Sequence, residues 1–451
     1  MILFGGFFLT FALMYLFNPD NDLALANFSP NYTPPASATR MAEELAVLPI
    51  WYAGEDPIMA GRNGIMGGEN IGFVGSDVLV DGETAVADAR TSGCDTVMAA
   101  VNRETTEGTK VIAGGELNRS FLEAVNKVLP VESSLIPFSD IALYPQREIV
   151  PWGWNPALCK KLLSMDVAKE QIPTKEELRR LREYADRQHA VRILGELQAE
   201  EVAFCGESRY FTSLEDLLAY LQSFSGDKLL KMPLSGSGKG LIRVLGAITD
   251  KQIDWCRRVI RGQGGVVAEP VLRKVEDFAM EFYLKDGNTS FASYSLFRAS
   301  TSGAYLGNEL LSDALILEKL SRYIPIRLLE DLRASLTAKL AASFPRYNGY
   351  AGVDMMICET EDGYRIQPCV EINMRMNMGM VARIFYNRFM AADGMGTFTV
   401  DYFKNPGDAL AFHQKMQQES PLKVQQGRII SGYLALTPII EATRFAAYVI
   451  V

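Results

Sequence analysis

The sequence predicts a mixed α/β protein with a parallel sheet near its start, and three observations predict it. Met14–Phe17, a helix from Ser37 and the run Ile50-Trp51-Tyr52-Ala53 alternate as strand, helix and strand, the mark of a βαβ unit. Two short apolar runs either side of residues 233–240 read as strands joined by a glycine-serine loop. Residues 278–284, 349–357 and 364–375 read as further strands, each with an acid inside. The chain has 451 residues, enough for two or three domains. At 48% apolar and 22% charged residues it has ordinary globular usage, which excludes a disordered or collagen-like chain.

Charge and rare residues narrow the chemistry. Lys and Arg total 45 against 54 Asp and Glu, so the net charge is −9. An acidic chain is a poor nucleic-acid binder, and no nucleic-acid partner is expected. The two histidines, His189 and His413, are too few for a His-rich metal site and give no basis for a Ser-His-Asp set. The six cysteines are scattered with no C-x-x-C pair, and read as reduced, buried small hydrophobes.

Taken in order, Met1–Phe17 is uncharged and very apolar. It is slightly short for a membrane span, which needs ~20 residues. A signal peptide would put a small-x-small site at Ala24-Leu25-Ala26, but no Lys or Arg precedes the apolar run. The reading taken is an opening strand from Met14, with residues 1–13 as an upstream extension; no membrane association is expected. Asn18, Asp20, Asn21, Asp22 and Asn27 follow the strand. They form an Asx-rich turn or line a ligand crevice at the strand's carboxyl end. The helix from Ser37 carries Met41, Leu45 and Leu48. Residues 54–95 are glycine-rich and no element is placed there.

Beyond a second alternating region ending near Leu135, Ile149–Pro156 is extended and turn-rich. Trp152 and Trp154 within it are a ligand wall or a packing wedge. Thr174-Lys-Glu-Glu177 is a capping box opening a charged helix. Arg179, Arg180, Arg182 and Arg187, interleaved with acids, read as a solvated face. Thr212-Ser-Leu-Glu215 reads as a second capping box before an apolar stripe at Leu214, Leu217, Leu218 and Leu221.

Pro233-Leu-Ser-Gly-Ser-Gly-Lys-Gly240 then joins strand to strand. A Walker A loop would need a glycine at Pro233, a Ser or Thr at Gly240, and a following helix, so that motif fails. A dinucleotide fingerprint fails for want of the helix. A strand-to-strand loop of this composition can still fold over phosphates through its N–H groups, Ser235, Ser237 and Lys239, with Lys231 on the entering strand. A mobile hairpin tip is the bland alternative. Downstream, alternation puts Glu371, Asn373 and Arg375 on one strand face, and Asp354 lies in a neighbouring strand. Asp354, Glu371 and Asn373 make a hard-cation site, or a polar face in which Arg375 neutralises Glu371.

The order of lysine strand, glycine hairpin, acidic hinge, Gly-x-Asp strand and Glu-x-Asn strand resembles the ATP-grasp superfamily over residues ~200–385. The resemblance implies that Lys231, Ser235, Gly236, Ser237, Gly238 and Lys239 cover phosphates. It implies that Glu269 starts the hinge meeting adenine, and that Glu276 or Asp277 takes the ribose hydroxyls. Asp354, Glu371 and Asn373 would be the metal trio, for Mg²⁺ or Mn²⁺. One departure stands out: ligases like the D-alanine–D-alanine enzyme have an arginine where this chain has Gly352. Arg375 or Arg298 would supply that charge instead.

The implied organisation is a pre-ATP-grasp domain over residues 14–135, a linking helical region over 136–199, and ATP-grasp subdomains over 200–268 and 269–451. The implied reaction is ATP-dependent joining of a carboxylate to an amine, or less often a thiol, through an acyl phosphate. A non-catalytic nucleotide-binding protein and a phosphotransferase on the same fold stay open. A cytoplasmic location suits ATP as a substrate; a homo-oligomer is compatible with all of this.

Overall fold

A computed structural model describes residues 13–54, 108–223, 225–236, 240–300 and 303–451. The reading of residues 1–12, and nearly all of the unplaced 54–95 stretch, lie outside the described residues.

The first sheet contains β1 (Leu13–Leu16), β2 (Thr109–Ile112), β3 (Ser133–Ile136) and β4 (Glu148–Pro151). All are parallel, in the order β3-β2-β1-β4. β1 reads Leu-Met-Tyr-Leu without polar alternation, as a strand covered on both faces must. Helix Glu116–Asn126 crosses from β2 to β3 and buries Leu122 and Val125. The chain leaves β1 toward β2 on one side and returns to β4 on the other, so the carboxyl ends of these strands border a crevice. The expected unit ending at residue 135 therefore takes its fourth strand from beyond that boundary.

Three local expectations are corrected. Ile50–Ala53 is not a strand. Leu48–Trp51 is a 3₁₀ turn with proline in its first positions, and Trp51 is fully buried. Its indole donates to the Leu436 carbonyl at 2.7 Å, and its ring meets Phe385 and Phe389 edge-on. The helix after Ser37 spans Ala36–Glu44 and stops short of Leu45 and Leu48. Asn21–Asn27 is a short helix where an Asx-rich turn was the alternative to a crevice wall.

The linking region is helical: Pro156–Leu163, Lys175–Tyr184 and Gln188–Glu200. The Thr174–Glu177 capping box forms as expected. The second box does not, because the hydroxyl accepting from Asp216 N is that of Ser213, one residue later. Trp152 is a packing residue, edge-on to Phe17 at 5.1 Å.

The second sheet holds β5 (Arg209–Phe211), β6 (Lys228–Lys231), β7 (Leu241–Val244) and β8 (Val266–Pro270), antiparallel in the order β5-β8-β6-β7. Leu217, Leu230, Val244, Cys256 and Val266 form its core with helices Leu214–Ser223 and Asp250–Gln263.

The third sheet has eight strands. Its members are β9 (Lys274–Lys285), β10 (Asn288–Ala299), β11 (Tyr305–Leu310), β12 (Gly349–Thr360), β13 (Gly363–Asn373) and β14 (Gly396–Tyr402), with β17 and β18 below. β15 (Lys423–Gln425) and β16 (Arg428–Ser431) pair separately. β17 (Tyr433–Ala435) and β18 (Phe445–Ile450) close the order β13-β12-β9-β10-β11-β14-β18-β17. Helix Met378–Phe389 packs on this sheet, and its Phe385 and Phe389 join the core that contains Tyr15 and Trp51. One apolar core thus spans the first and third sheets.

Candidate nucleotide and metal site

The hairpin is built as the sequence requires: β6 and β7 pair in register from Lys228–Val244 to Lys231–Leu241. Leu230 enters the core, so its neighbour Lys231 emerges on the opposite face. There Lys231 Nζ lies 2.6 Å from Glu269 Oε2, and both side chains are more than nine-tenths buried. Ser208 Oγ donates to the other Glu269 oxygen at 2.9 Å. The Glu269 side chain is thus committed to Lys231 and Ser208.

Past β6 the chain is held by a residue outside the expected set. Arg187, read as part of a solvated face, is buried. Its guanidinium donates to Met232 O at 2.6 Å, Ser235 Oγ at 2.8 Å and Glu371 Oε1 at 2.6 Å. One side chain thereby ties the loop of the second sheet to an acid of the third. Arg182 is also engaged, donating to the carbonyls of Leu25 and Ala26. Gly236 seats the loop on the N-terminal domain: a Cβ there would lie 2.4 Å from Asp22 Oδ2. Ser237, Gly238 and Lys239 lie outside the described residues. Gly236→Ala is expected to push the loop off Asp22 and loosen it, seen as faster proteolysis near residues 233–240 than in wild type. Unchanged proteolysis would show that the loop's seat does not matter.

The acidic strands meet as alternation implied. Asp354 in β12 faces Glu371 in β13, and Asn373 Nδ2 donates to Asp354 Oδ2 at 3.1 Å. Arg375 lies just past β13. It grips Asp22 with two bonds of 2.7 and 2.6 Å and reaches Asn373 Oδ1 at 3.2 Å. Burial, then Glu371, then Glu281 push the Asp354 carboxyl well above the carboxylate range. The buried Cys369 thiol connects the two halves electrically. Burial raises it first; Asp354, Glu269 and Glu371 raise it further, and Lys231 opposes them. The hairpin pair and the strand pair therefore share one neighbourhood.

The other expected residues lie further along the sheet. Asp277 pairs with Lys274, and burial raises its carboxyl. Glu276 is raised by burial and then by Glu309. Arg298 is exposed on β10, with its charge acting on Tyr305 and Tyr448. The structure brings Arg375, rather than Arg298, to Asn373.

Glu281, not singled out in the sequence, faces Gly352 across the β9–β12 register and accepts from Asn377 Nδ2 at 2.7 Å. Gly352 and Gly379 make the room: a Cβ on either would come within 2.8 Å of a Glu281 oxygen. Burial lifts the Glu281 carboxyl to about 7. A folded value above the unfolded one favours folding fully below pH ~4.3, and that contribution is lost as pH rises through 7. Wild type is therefore expected to lose about 2–3 kcal/mol between pH 5 and 8 that Glu281→Gln does not lose. Urea unfolding at both pH values measures it, and parallel curves would overturn it.

A cation fits the Asp354–Glu371 pair on chemical grounds, since facing half-buried acids repel until one is neutralised. Among the described residues, no three His, Cys, Asp or Glu side chains cluster, so a cation here would rely on the Asn373 amide as well.

The structure keeps the element order read from the sequence, from lysine strand and glycine hairpin to the Asp354 and Glu371–Asn373 strands. The chain matches no protein-family model and no curated protein. It is similar to several solved structures. One is N5-carboxyaminoimidazole synthetase from Staphylococcus aureus complexed with ADP, at 12% identity and TM-score 0.39, covering 76% of this chain and 92% of that one. Another is N5-carboxyaminoimidazole synthase from Aspergillus clavatus with ADP and 5-aminoimidazole ribonucleotide, at 13% and 0.39, covering 76% and 92%. A third is a biotin carboxylase–ATP complex from Campylobacter jejuni, at 13% and 0.45, covering 78% and 84%. Likenesses of this size assign no activity.

Proposed function

We propose that this protein is an ATP- and Mg²⁺-dependent ligase of the ATP-grasp type, joining a carboxylate to an amine or thiol through an acyl phosphate. The observation that carries it is Arg187, which holds the glycine loop at Met232 and Ser235 and the acid Glu371 at once. A loop suited to phosphates and acids suited to Mg²⁺ are thereby bound to one another.

In this reading a substrate carboxylate oxygen attacks the γ-phosphorus and ADP leaves. The amine then attacks the acyl carbon, and phosphate leaves with the former carboxylate oxygen. Lys231 and Lys239 neutralise phosphate charge, and the loop amides orient the chain of phosphates. Asp354, Glu371 and Asn373 would hold Mg²⁺, which when bound neutralises phosphate oxygens. Arg375, fixed by Asp22, stabilises charge on the transferring group. The proton lost by the amine needs no histidine of the chain. ATP as substrate suits the cytoplasm, and among the described residues no helix is long and apolar enough to cross a membrane.

A second reading, non-catalytic nucleotide binding, has one observation of its own. Arg187 already neutralises Glu371 at 2.6 Å, where a metal would otherwise sit. The test is ADP release on a panel of carboxylates with Mg²⁺ and hydroxylamine. Hydroxamate formed together with ADP supports the ligase. ATP binding without ADP release supports the second reading. ADP with a lasting phosphorylated product and no hydroxamate means a phosphotransferase.

A further inference from the structure

Of the five described cysteines, Cys205 alone is not buried, and it meets a second thiol. Adjacent residues of β13 hold the two in place. Cys205 lies between helix Gln188–Glu200 and β5, where Phe204 bridges Ile366 and the Cys205 amide donates to the Ile366 carbonyl at 2.7 Å. Cys358 lies in β12, opposite Arg365 of β13 on one side and Lys274 of β9 on the other. Gly206 then turns the chain at φ +101°, close against β13: a Cβ there would come within 2.8 Å of the Gln367 side chain. The Cys205 and Cys358 thiols are joined by a side-chain hydrogen bond.

The two thiols are unequal. Cys358 is 1% exposed. Its bond to Cys205, and then burial, hold its proton on. The same bond acidifies Cys205; burial opposes this, and the nearby Arg365 guanidinium adds to it. Arg365 also pairs with Asp362 at 3.0 Å, and Lys274 with Asp277, whose charges act on Cys358 in opposite senses. An acidified thiol with access to solvent is the reactive kind, and a second thiol beside it makes its oxidation reversible. Among the described residues no third His, Cys, Asp or Glu joins the pair, which sets it apart from a metal centre.

We propose that Cys205 and Cys358 are a hydroperoxide-sensitive dithiol that closes to a disulfide between β12 and the segment leading into β5. The Cys205 thiolate sulfur attacks one peroxide oxygen. The O–O bond breaks, and the other oxygen takes up a proton and leaves as water or an alcohol. Cys205 loses two electrons to become a sulfenic acid, and the peroxide gains them. The Cys358 sulfur then attacks the sulfenic sulfur: the S–S bond forms, the S–O bond breaks, and the hydroxyl leaves as water with the Cys358 proton. A small thiol reductant restores both thiols. In a reducing compartment a disulfide of this kind is transient and reports oxidation.

The link reaches beyond its own strands. Ser208, three residues past Cys205, donates to Glu269, the partner of Lys231. Asp354 stands four residues before Cys358 on β12. The disulfide therefore staples the segment that steadies the hairpin pair to the strand that carries the acidic site. The cross-link does not rest on the ligase reading; its effect on ATP does.

The test is peptide mapping of the full chain by mass spectrometry, without reductant, after treatment with hydrogen peroxide. A Cys205–Cys358 peptide that dithiothreitol removes is expected, and its absence would overturn the proposal. Dimedone, which traps sulfenic acids, is expected to label Cys205 in Cys358→Ala, where the second thiol is gone; a label elsewhere would overturn the order of the two steps. Reduced wild type is expected to take iodoacetamide at Cys205 at least about tenfold faster than at Cys159, Cys256, Cys358 or Cys369. Equal rates would overturn the role of Cys205 as the attacking thiol. Calorimetry is expected to show ATP bound at least about fivefold more weakly by the oxidised than by the reduced protein, and equally by Cys205→Ser with and without peroxide. Equal binding to both wild-type forms would overturn the coupling to the nucleotide site. Binding to neither form would count against the ligase reading and leave the cross-link standing.

Discussion

Lys231→Ala is expected to destabilise the protein by about 3–5 kcal/mol and to abolish measurable ATP binding. The first effect follows from burial. Lys231 and Glu269 are 5% and 7% exposed and 2.6 Å apart. Removing the ammonium leaves Glu269 as a buried carboxylate with only the Ser208 hydroxyl donating to it. An uncompensated buried charge costs far more than a lost surface pair. Arg192–Glu196, with both side chains over a third exposed, contributes at most about 1 kcal/mol. The stability loss would by itself confuse a binding assay. The informative comparison is therefore Lys231→Met with Glu269→Gln, which removes both charges and keeps the volume. That double variant is expected to recover most of the stability, measured by urea unfolding, and still not bind ATP. Recovered binding would mean that Lys231 only neutralises Glu269 and has no part in holding phosphate.

The contrast between Lys231 and Arg187 shows what the sequence could and could not say. Lys231 was legible because everything that places it is local: a turn at Gly226-Asp227, alternation along β6, and a glycine loop that pairs β6 with β7. Asp354, Glu371 and Asn373 were legible for the same reason, as period-two patterns in apolar runs. Arg187 sits among charges between two helices, and its partners lie 45 to 184 residues away. Its composition matches a solvated face, and no spacing distinguishes the two. Asp22 is alike: it stood in a cluster of Asx residues, but its partner Arg375 is 353 residues distant. Glu281 was hidden in Phe-Ala-Met-Glu-Phe-Tyr, which reads as a strand interior. Only the space left by Gly352 and Gly379 and the amide of Asn377 make a buried acid tolerable there. The error at Ile50–Ala53 has a different cause. A short apolar run fits a strand or a buried turn equally, and Pro49 decided for the turn.

Glu371→Gln is expected to lower Mg²⁺-dependent ADP release roughly 100-fold or more while leaving the fold intact. The substitution keeps the side chain's shape and an oxygen that can accept from Arg187, so the loop tie at Ser235 and Met232 survives. What it removes is the acid that faces the Asp354 carboxyl across β12 and β13. Without Glu371 the Asp354 carboxyl loses one of the charges holding its proton on and its value should fall, while burial, the larger cause, still holds it above the ordinary range. That predicts a dissociation between stability and activity. Stability should hold or rise slightly as the repulsion is relieved, whereas turnover should collapse because a hard cation has lost a charged oxygen ligand. The two readings of Arg187 separate here as well. If Glu371 serves a metal, Mg²⁺ should strengthen ATP binding to wild type and do little for the variant. If Glu371 serves only Arg187, Mg²⁺ should leave wild type and variant alike, and the loss of charge should appear as a weaker loop, seen in proteolysis near residues 233–240. Titrating ATP with and without Mg²⁺ into both proteins decides between a metal ligand and a tether.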